Sequence, residues 1–201
     1  MELVPERRNS LENKEARKRH AEWLQREHEQ GARFCYVDEC GYGMYTARTR
    51  GRSVRGLSAK RVADNQRMPN ITLMCAICPG LGVIHSTTIV GGARQDQFDQ
   101  FVRSLFECDF GEPMAPGHGR NRYIVFDNAP CHRGVEARVS EDMPEDCKLV
   151  RLPPYSCTLN SIENCFQSLK AHIKRKLSEH SPVVAMEGQS LVTARRQLSL
   201  H

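Results

Sequence analysis

The chain has 201 residues, 39% hydrophobic and 26% charged, with a net charge of +5 and a pI near 8.8. That composition predicts a soluble globular core with appendages, and no apolar run nears the roughly 18–20 residues of a membrane span. The basic balance allows an anionic partner without requiring one, and no signal-type segment opens the chain.

Residues 1–30 are polar and helix-prone, with seven acidic and seven basic residues and no glycine. Ser10 ahead of Leu11-Glu12-Asn13 has the form of a helix start. Leu11, Trp23 and Leu24 offer only a thin apolar stripe. The segment therefore reads as a polar linker helix, solvated all round, and its cancelled charge argues against a nucleic-acid arm. "RFCYVDECGYGMYT" predicts a strand over 34–37 ending at Asp38 and Glu39, then a glycine-bearing turn and a second strand. Arg48, Arg50, Arg52 and Arg55 follow, four arginines in eight residues. "NITLMCAI" and "GVIHSTTIV" read as strands joined at Pro79-Gly80, a hairpin signal.

Nine cysteines, an odd number, lie in strand- and helix-like segments, so free thiols in a reducing compartment are expected. Cys75 and Cys78 form a C-x-x-C. Residues three apart on a strand point to opposite faces, and no second pair sits at ligand spacing, so core thiols are expected there.

Phe98, Phe101, Val102, Leu105 and Phe106 recur at helical spacing and predict an amphipathic helix. After a glycine- and proline-bearing loop over 111–120, Tyr123, Ile124, Val125 and Phe126 read as a buried strand with Asp127 at its C-terminal end. Open α/β sheets place their sites at that edge. A short helix, a last strand in "CKLVRLPPYS" and a final helix with Ile162, Phe166, Leu169, Ile173 and Leu177 on one face complete the core. The pattern dissolves from 181 into a tail, which leaves a catalytic-sized domain over 31–180. Hairpin strands feeding βαβα units predict an α/β protein with a mixed sheet flanked by helices, in the order of the ribonuclease H-like fold.

Three acids fall where that fold converges. Asp38 ends the first strand, Asp127 ends the fourth, and Glu163 opens the last helix, with thirty-five residues between it and Asp127. Hard divalent cations take carboxylate oxygens, and two such ions serve phosphodiester chemistry by offsetting charge and activating water. Each acid also has a local explanation. Asp38 and Asp127 suit turns, and Glu163 has the spacing of a capping box with Asn160 as N-cap. His132 reads more readily as a satisfied surface or core histidine than as a site residue, and Glu39 as a neighbour of the site or an exposed acid.

"YVDE", "VFDNAPCH" and "LPPYSCTLNSIENCFQSLK" together resemble the three catalytic blocks of the Tc-type branch of the mariner superfamily of DDE transposases, over about 33–177. The resemblance implies a ribonuclease H-like core and excision and reinsertion of a mobile DNA element in the nucleus. It makes Asp38, Asp127 and Glu163 the catalytic acids and the ligands of two Mg²⁺ or Mn²⁺ ions. Asn128, His132 and Asn160 would support them. Its partners would be transposon ends, a TA target and a second copy of the chain, with no membrane. Arg48, Arg50, Arg52, Arg55, Lys60, Arg61, Lys170 and Lys174 would hold DNA phosphates, contacts that position DNA without reading sequence.

Cys157 and Ser161 stand where the family has prolines, and Phe166 where it has tryptophan. Proline at the first helical position is pre-organised, so Ser161 is expected to loosen the helix that presents Glu163. Thirty residues ahead of the core are too few for the family's end-recognition modules, so a truncated catalytic core is expected. A decayed or domesticated DNA-binding or dimerising remnant, or another ribonuclease H-like nuclease, stays open as an alternative.

Overall fold

The structure, a computed structural model, describes residues 6–43, 70–111 and 121–179. By contacts the chain divides into two units: Met1–Met44 with Met68–Asn164, and Tyr45–Arg67 with Cys165–His201. The first carries the sheet and the three acids. Of the second, only helical residues 165–179 are described. Four of the predicted DNA contacts, Arg48, Arg50, Arg52 and Arg55, together with Lys60, Arg61 and the predicted tail over 181–201, lie outside the described residues.

Helix α1 (Leu11–Glu29) starts where expected, at Ser10, whose hydroxyl accepts the Asn13 N–H. It buries no residue fully. It is nonetheless anchored, because the Trp23 indole meets Phe34 and Tyr123 edge-on at 6.1 and 5.0 Å. The Tyr123 hydroxyl also donates to Glu27 at 2.7 Å. A thin stripe thus suffices to dock the helix when its one indole finds two sheet aromatics, which corrects the reading of a helix solvated all round.

Strands β1 (Arg33–Tyr42), β2 (Ile71–Cys78), β3 (Gly82–Val90), β4 (Arg122–Phe126) and β5 (Cys147–Arg151) form one sheet in the order β3-β2-β1-β4-β5. The β1–β2 and β2–β3 pairs are antiparallel, whereas β1–β4 and β4–β5 are parallel. Gly80 and Gly82, both at positive φ, turn the predicted hairpin. Helix α2 (Gln95–Phe106) buries all five predicted apolar positions. They join Cys35, Val37, Met74, Ala76, Ile124 and Phe126 in one core on one face of the sheet. Short α3 (Val135–Arg138) adds Val135, and Arg138 grips Asp99 of α2 through two hydrogen bonds. Helix α4 (Ile162–Glu179) begins with a buried Ile162. This is the mixed, helix-flanked sheet of the ribonuclease H-like fold. Among the described residues, no helix is long and apolar enough to cross a membrane.

One expectation fails on β1. The strand does not end at Asp38 but runs four residues further, because β2 pairs with it antiparallel as far as Tyr42 and Ile71. What ends earlier is the other neighbour: the last parallel pair with β4 is Tyr36 and Val125. Asp38 is therefore mid-strand on one side and past the strand end on the other.

Candidate active site

Side chains alternate across a strand. On β1, Cys35 and Val37 face the α2 core, so Asp38 points to the opposite face and Glu39 back toward α2. On β4, Ile124 and Phe126 face that core, which sends Asp127 to the face of Asp38. Helix α4 brings Glu163 to the same place. Asp38, Asp127, Asn128, Asn160 and Glu163 line one cleft of about 570 Å³, with the Leu-Pro-Pro-Tyr-Ser segment, residues 152–156, along its wall. Within that wall Tyr155 holds φ at +57°, a region costly for a residue with a Cβ and found mainly where function constrains the backbone.

Both aspartates are held by neighbouring groups. Asp38 Oδ1 accepts the Glu39 N–H at 2.8 Å, and its Oδ2 lies 3.5 Å from the Asn160 amide nitrogen. Asp127 Oδ1 accepts the Ala129 N–H at 2.9 Å, closing an Asx turn, and lies 2.9 Å from His132 Nδ1. Asn128 donates to the Leu152 carbonyl at 2.7 Å, tying the loop after β4 to the segment after β5. Asn160 is thus turned to Asp38 and does not cap α4 as the capping-box reading had it. Ser161 also precedes the helix instead of opening it, and its hydroxyl bonds the Tyr36 side chain.

The electrostatics follow from this crowding. Burial, with Asp127, Glu39 and Glu163 adding repulsion against the Glu39 N–H, pushes Asp38 up to about 7. Burial pushes Asp127 up as well, but His132, the Ala129 N–H and Arg151 outweigh it and hold this carboxyl below its ordinary range. Burial lowers His132, yet the Asp127 and Glu39 carboxylates outweigh it and raise the imidazole to about 9. The donor set suits a divalent cation. The donors are hard oxygens on separate elements, and buried Asn160 Oδ1 beside them has no hydrogen-bond partner. The residues fit such an ion.

A family model described as DDE superfamily endonuclease matches residues 33–182. The chain belongs to the DDE superfamily of endonucleases. Among solved structures, this DDE chain resembles the catalytic domain of the Mos1 mariner transposase at 15% identity and TM-score 0.53, covering 89% of this chain and 82% of that one. It also resembles the Mos1 mariner paired end complex with Mn (18%, TM-score 0.56) and with Mg (17%, TM-score 0.52). It covers only 56% and 59% of those chains. At these identities the likeness carries the fold alone. Curated proteins gave no match.

Of the supporting residues named from the DDE blocks, His132 reaches Asp127 and Asn160 reaches Asp38, whereas Asn128 lines the cleft and bonds the Leu152 carbonyl instead. His132 is both readings at once, a fully buried histidine with satisfied nitrogens and a direct neighbour of Asp127. Lys170 and Lys174 are exposed on α4. The sequence reading undervalued Glu39, which reaches His132 Nε2 at 2.7 Å, and missed Arg151, which donates to the His132 carbonyl at 2.6 Å and pairs with Glu136. The period-2 alternation beside Asp38 was the available signal for Glu39. For Arg151 there was none, because its partners are set by β5 lying beside β4.

Proposed function

We propose that this chain is the catalytic core of a metal-dependent DNA transposase, cleaving DNA strands at an element's ends and joining them to a target. The observation that supports it most is the gathering of Asp38, Asp127 and Glu163, from two strands and a helix, on one cleft. Asp38, Asp127 and Glu163 would hold two Mg²⁺ or Mn²⁺ ions, with Asn160 Oδ1 available beside them. Bound ions supply charge neutralisation on the phosphate and a more acidic water.

The protein's own part is placement. The Asx turn and His132 hold Asp127 through Oδ1, and Asn160 steadies Asp38 from the α4 side. Hydrolysis forms a bond from water oxygen to phosphorus and releases the 3′-hydroxyl. That hydroxyl then attacks a phosphodiester of the target, joining to its phosphorus as the target strand's own 3′-hydroxyl leaves, at TA in this reading, in the nucleus and with a second copy of the chain. The arginines over 48–55, Lys60, Arg61, Lys170 and Lys174 hold phosphates.

The test is nicking of supercoiled DNA with Mg²⁺ or Mn²⁺. The chain should nick, and Asp127→Asn and Glu163→Gln should each abolish nicking while keeping the wild-type fold. Nicking that survives either substitution removes that acid from the mechanism, and a well-folded, metal-loaded chain that never nicks removes the catalytic reading.

A further inference from the structure

On the α2 side of the sheet, behind the three acids, a different set of donors converges. Donor atoms of Glu39, Cys131 and His132, one from each, lie within 4.8 Å of one another. Glu39 comes from β1, and the other two come from the 3₁₀ turn Pro130–His132 that follows the Asp127 loop. His132 is fully buried, while Glu39 and Cys131 are partly open, so an ion has a way in from their side. We propose that these three side chains form a binding site for a thiophilic divalent ion, Zn²⁺ by its donor set, distinct from the carboxylate cleft.

The chemistry separates the two sites. One thiol, one imidazole and one carboxylate suit Zn²⁺, which Mg²⁺ does not contest because it avoids sulfur. The geometry is close to ready. With ordinary zinc bond lengths, a tetrahedral ion separates its S and O ligands by about 3.6 Å and its N and O ligands by about 3.4 Å. Cys131 Sγ and Glu39 Oε1 already stand 3.6 Å apart. His132 Nε2 and Glu39 Oε1, at 2.7 Å, must widen by about 0.7 Å. The ion takes the place of the proton between them, and the thiol proton leaves to solvent.

The far side of the imidazole is built for this. Nδ1 faces the Asp127 carbonyl at 3.1 Å and Asp127 Oδ1 at 2.9 Å, the outer hydrogen bond that orients metal-binding histidines. Phe98 lies against the ring at 3.9 Å between centroids, fixing its plane. Three protein ligands leave the fourth position to water. An ion here would clamp the Asp127 loop to β1, so its occupancy would bear on how firmly Asp127 is held.

The experiment uses the full chain, stripped with a chelator and titrated with Co²⁺ in excess Mg²⁺. A thiolate-to-cobalt charge-transfer band should saturate at one equivalent and vanish when equimolar Zn²⁺ is added. Cys131→Ser and Cys131→Ala should each lose the band and weaken Zn²⁺ binding at least tenfold, with the apo melting curve retained. Cys157→Ser, Cys165→Ser and Glu163→Gln should keep the band. Absence of the band in the unaltered chain overturns the proposal, as does a band that survives both Cys131 substitutions or is lost with Cys157 or Cys165. Because the readout is a spectrum, this result is independent of whether the chain cleaves DNA.

Discussion

Asp38→Asn should stabilise the metal-free chain, and by an amount that grows with pH. Asp38 titrates near 7 in the folded chain against an ordinary 3.8. Its folded value is the higher one, so its protonation favours folding fully below about pH 4, and that contribution is lost as pH rises through about 7. A shift of roughly three units at 1.36 kcal/mol each sets an upper bound near 4 kcal/mol on the cost of the ionised carboxylate. Between the two limits the linkage relation places that cost at about 2 kcal/mol at pH 5 and about 4 kcal/mol at pH 8. Asparagine keeps the shape and removes the charge, so its advantage over the native chain should widen by roughly 2 kcal/mol between those pH values. Taking the difference between variant and native chain cancels the titration of shared groups that do not interact with Asp38. Urea unfolding in chelator at pH 5 and pH 8 measures it. A gap that stays flat, or narrows toward pH 8, would refute the claim that Asp38 is held in a crowded, desolvated carboxylate cluster. With saturating Mg²⁺ the native chain should recover its deficit and Asp38→Asn should not, because a cation that binds only the folded state stabilises by mass action.

Arg138→Met should cost about 3 kcal/mol in chemical denaturation, because it strands the buried Asp99 carboxylate without its two hydrogen bonds. Adding Asp99→Asn should recover part of that loss, and additive losses would show the pair to be uncoupled. Ser161→Ala should cost about 1 kcal/mol through its lost bond to Tyr36, and Ser161→Pro should fall short of the 0.4–1 kcal/mol or so that a proline gains at a compatible first helical position. A full gain on proline would restore Ser161 as that first residue. Trp23→Ala should raise amide exchange along α1 about tenfold while leaving β4 protected, since α1 buries no residue fully and rests on that indole. Unchanged exchange in α1 would mean another contact holds it.

The elements of this chain were legible in its sequence wherever the signal is local. The apolar spacing of α2, the Pro79-Gly80 turn and the β-branched run ahead of Asp127 need no distant partner to be recognised, because each reports how one segment must bury itself. Asp127 and Glu163 were legible for a related reason: the end of β4 and the start of α4 can be read along the chain, and fold order brings such ends together. The tertiary structure decided what depends on neighbours. Whether β1 stops at Asp38 is a question of which strand lies beside it, and β2 and β4 answer differently. Whether Asn160 caps its own helix or turns to Asp38, and whether Trp23 points at water or at two aromatics, follows from elements far away in sequence. Glu39 shows the division most plainly. Its place next to Asp38 sends it to the opposite face by strand geometry alone, but only the packed turn after β4 sets a buried histidine and a thiol against it. A hydrogen bond falls off within a few tenths of an ångström, so such partners are chosen by packing, which no segment carries by itself.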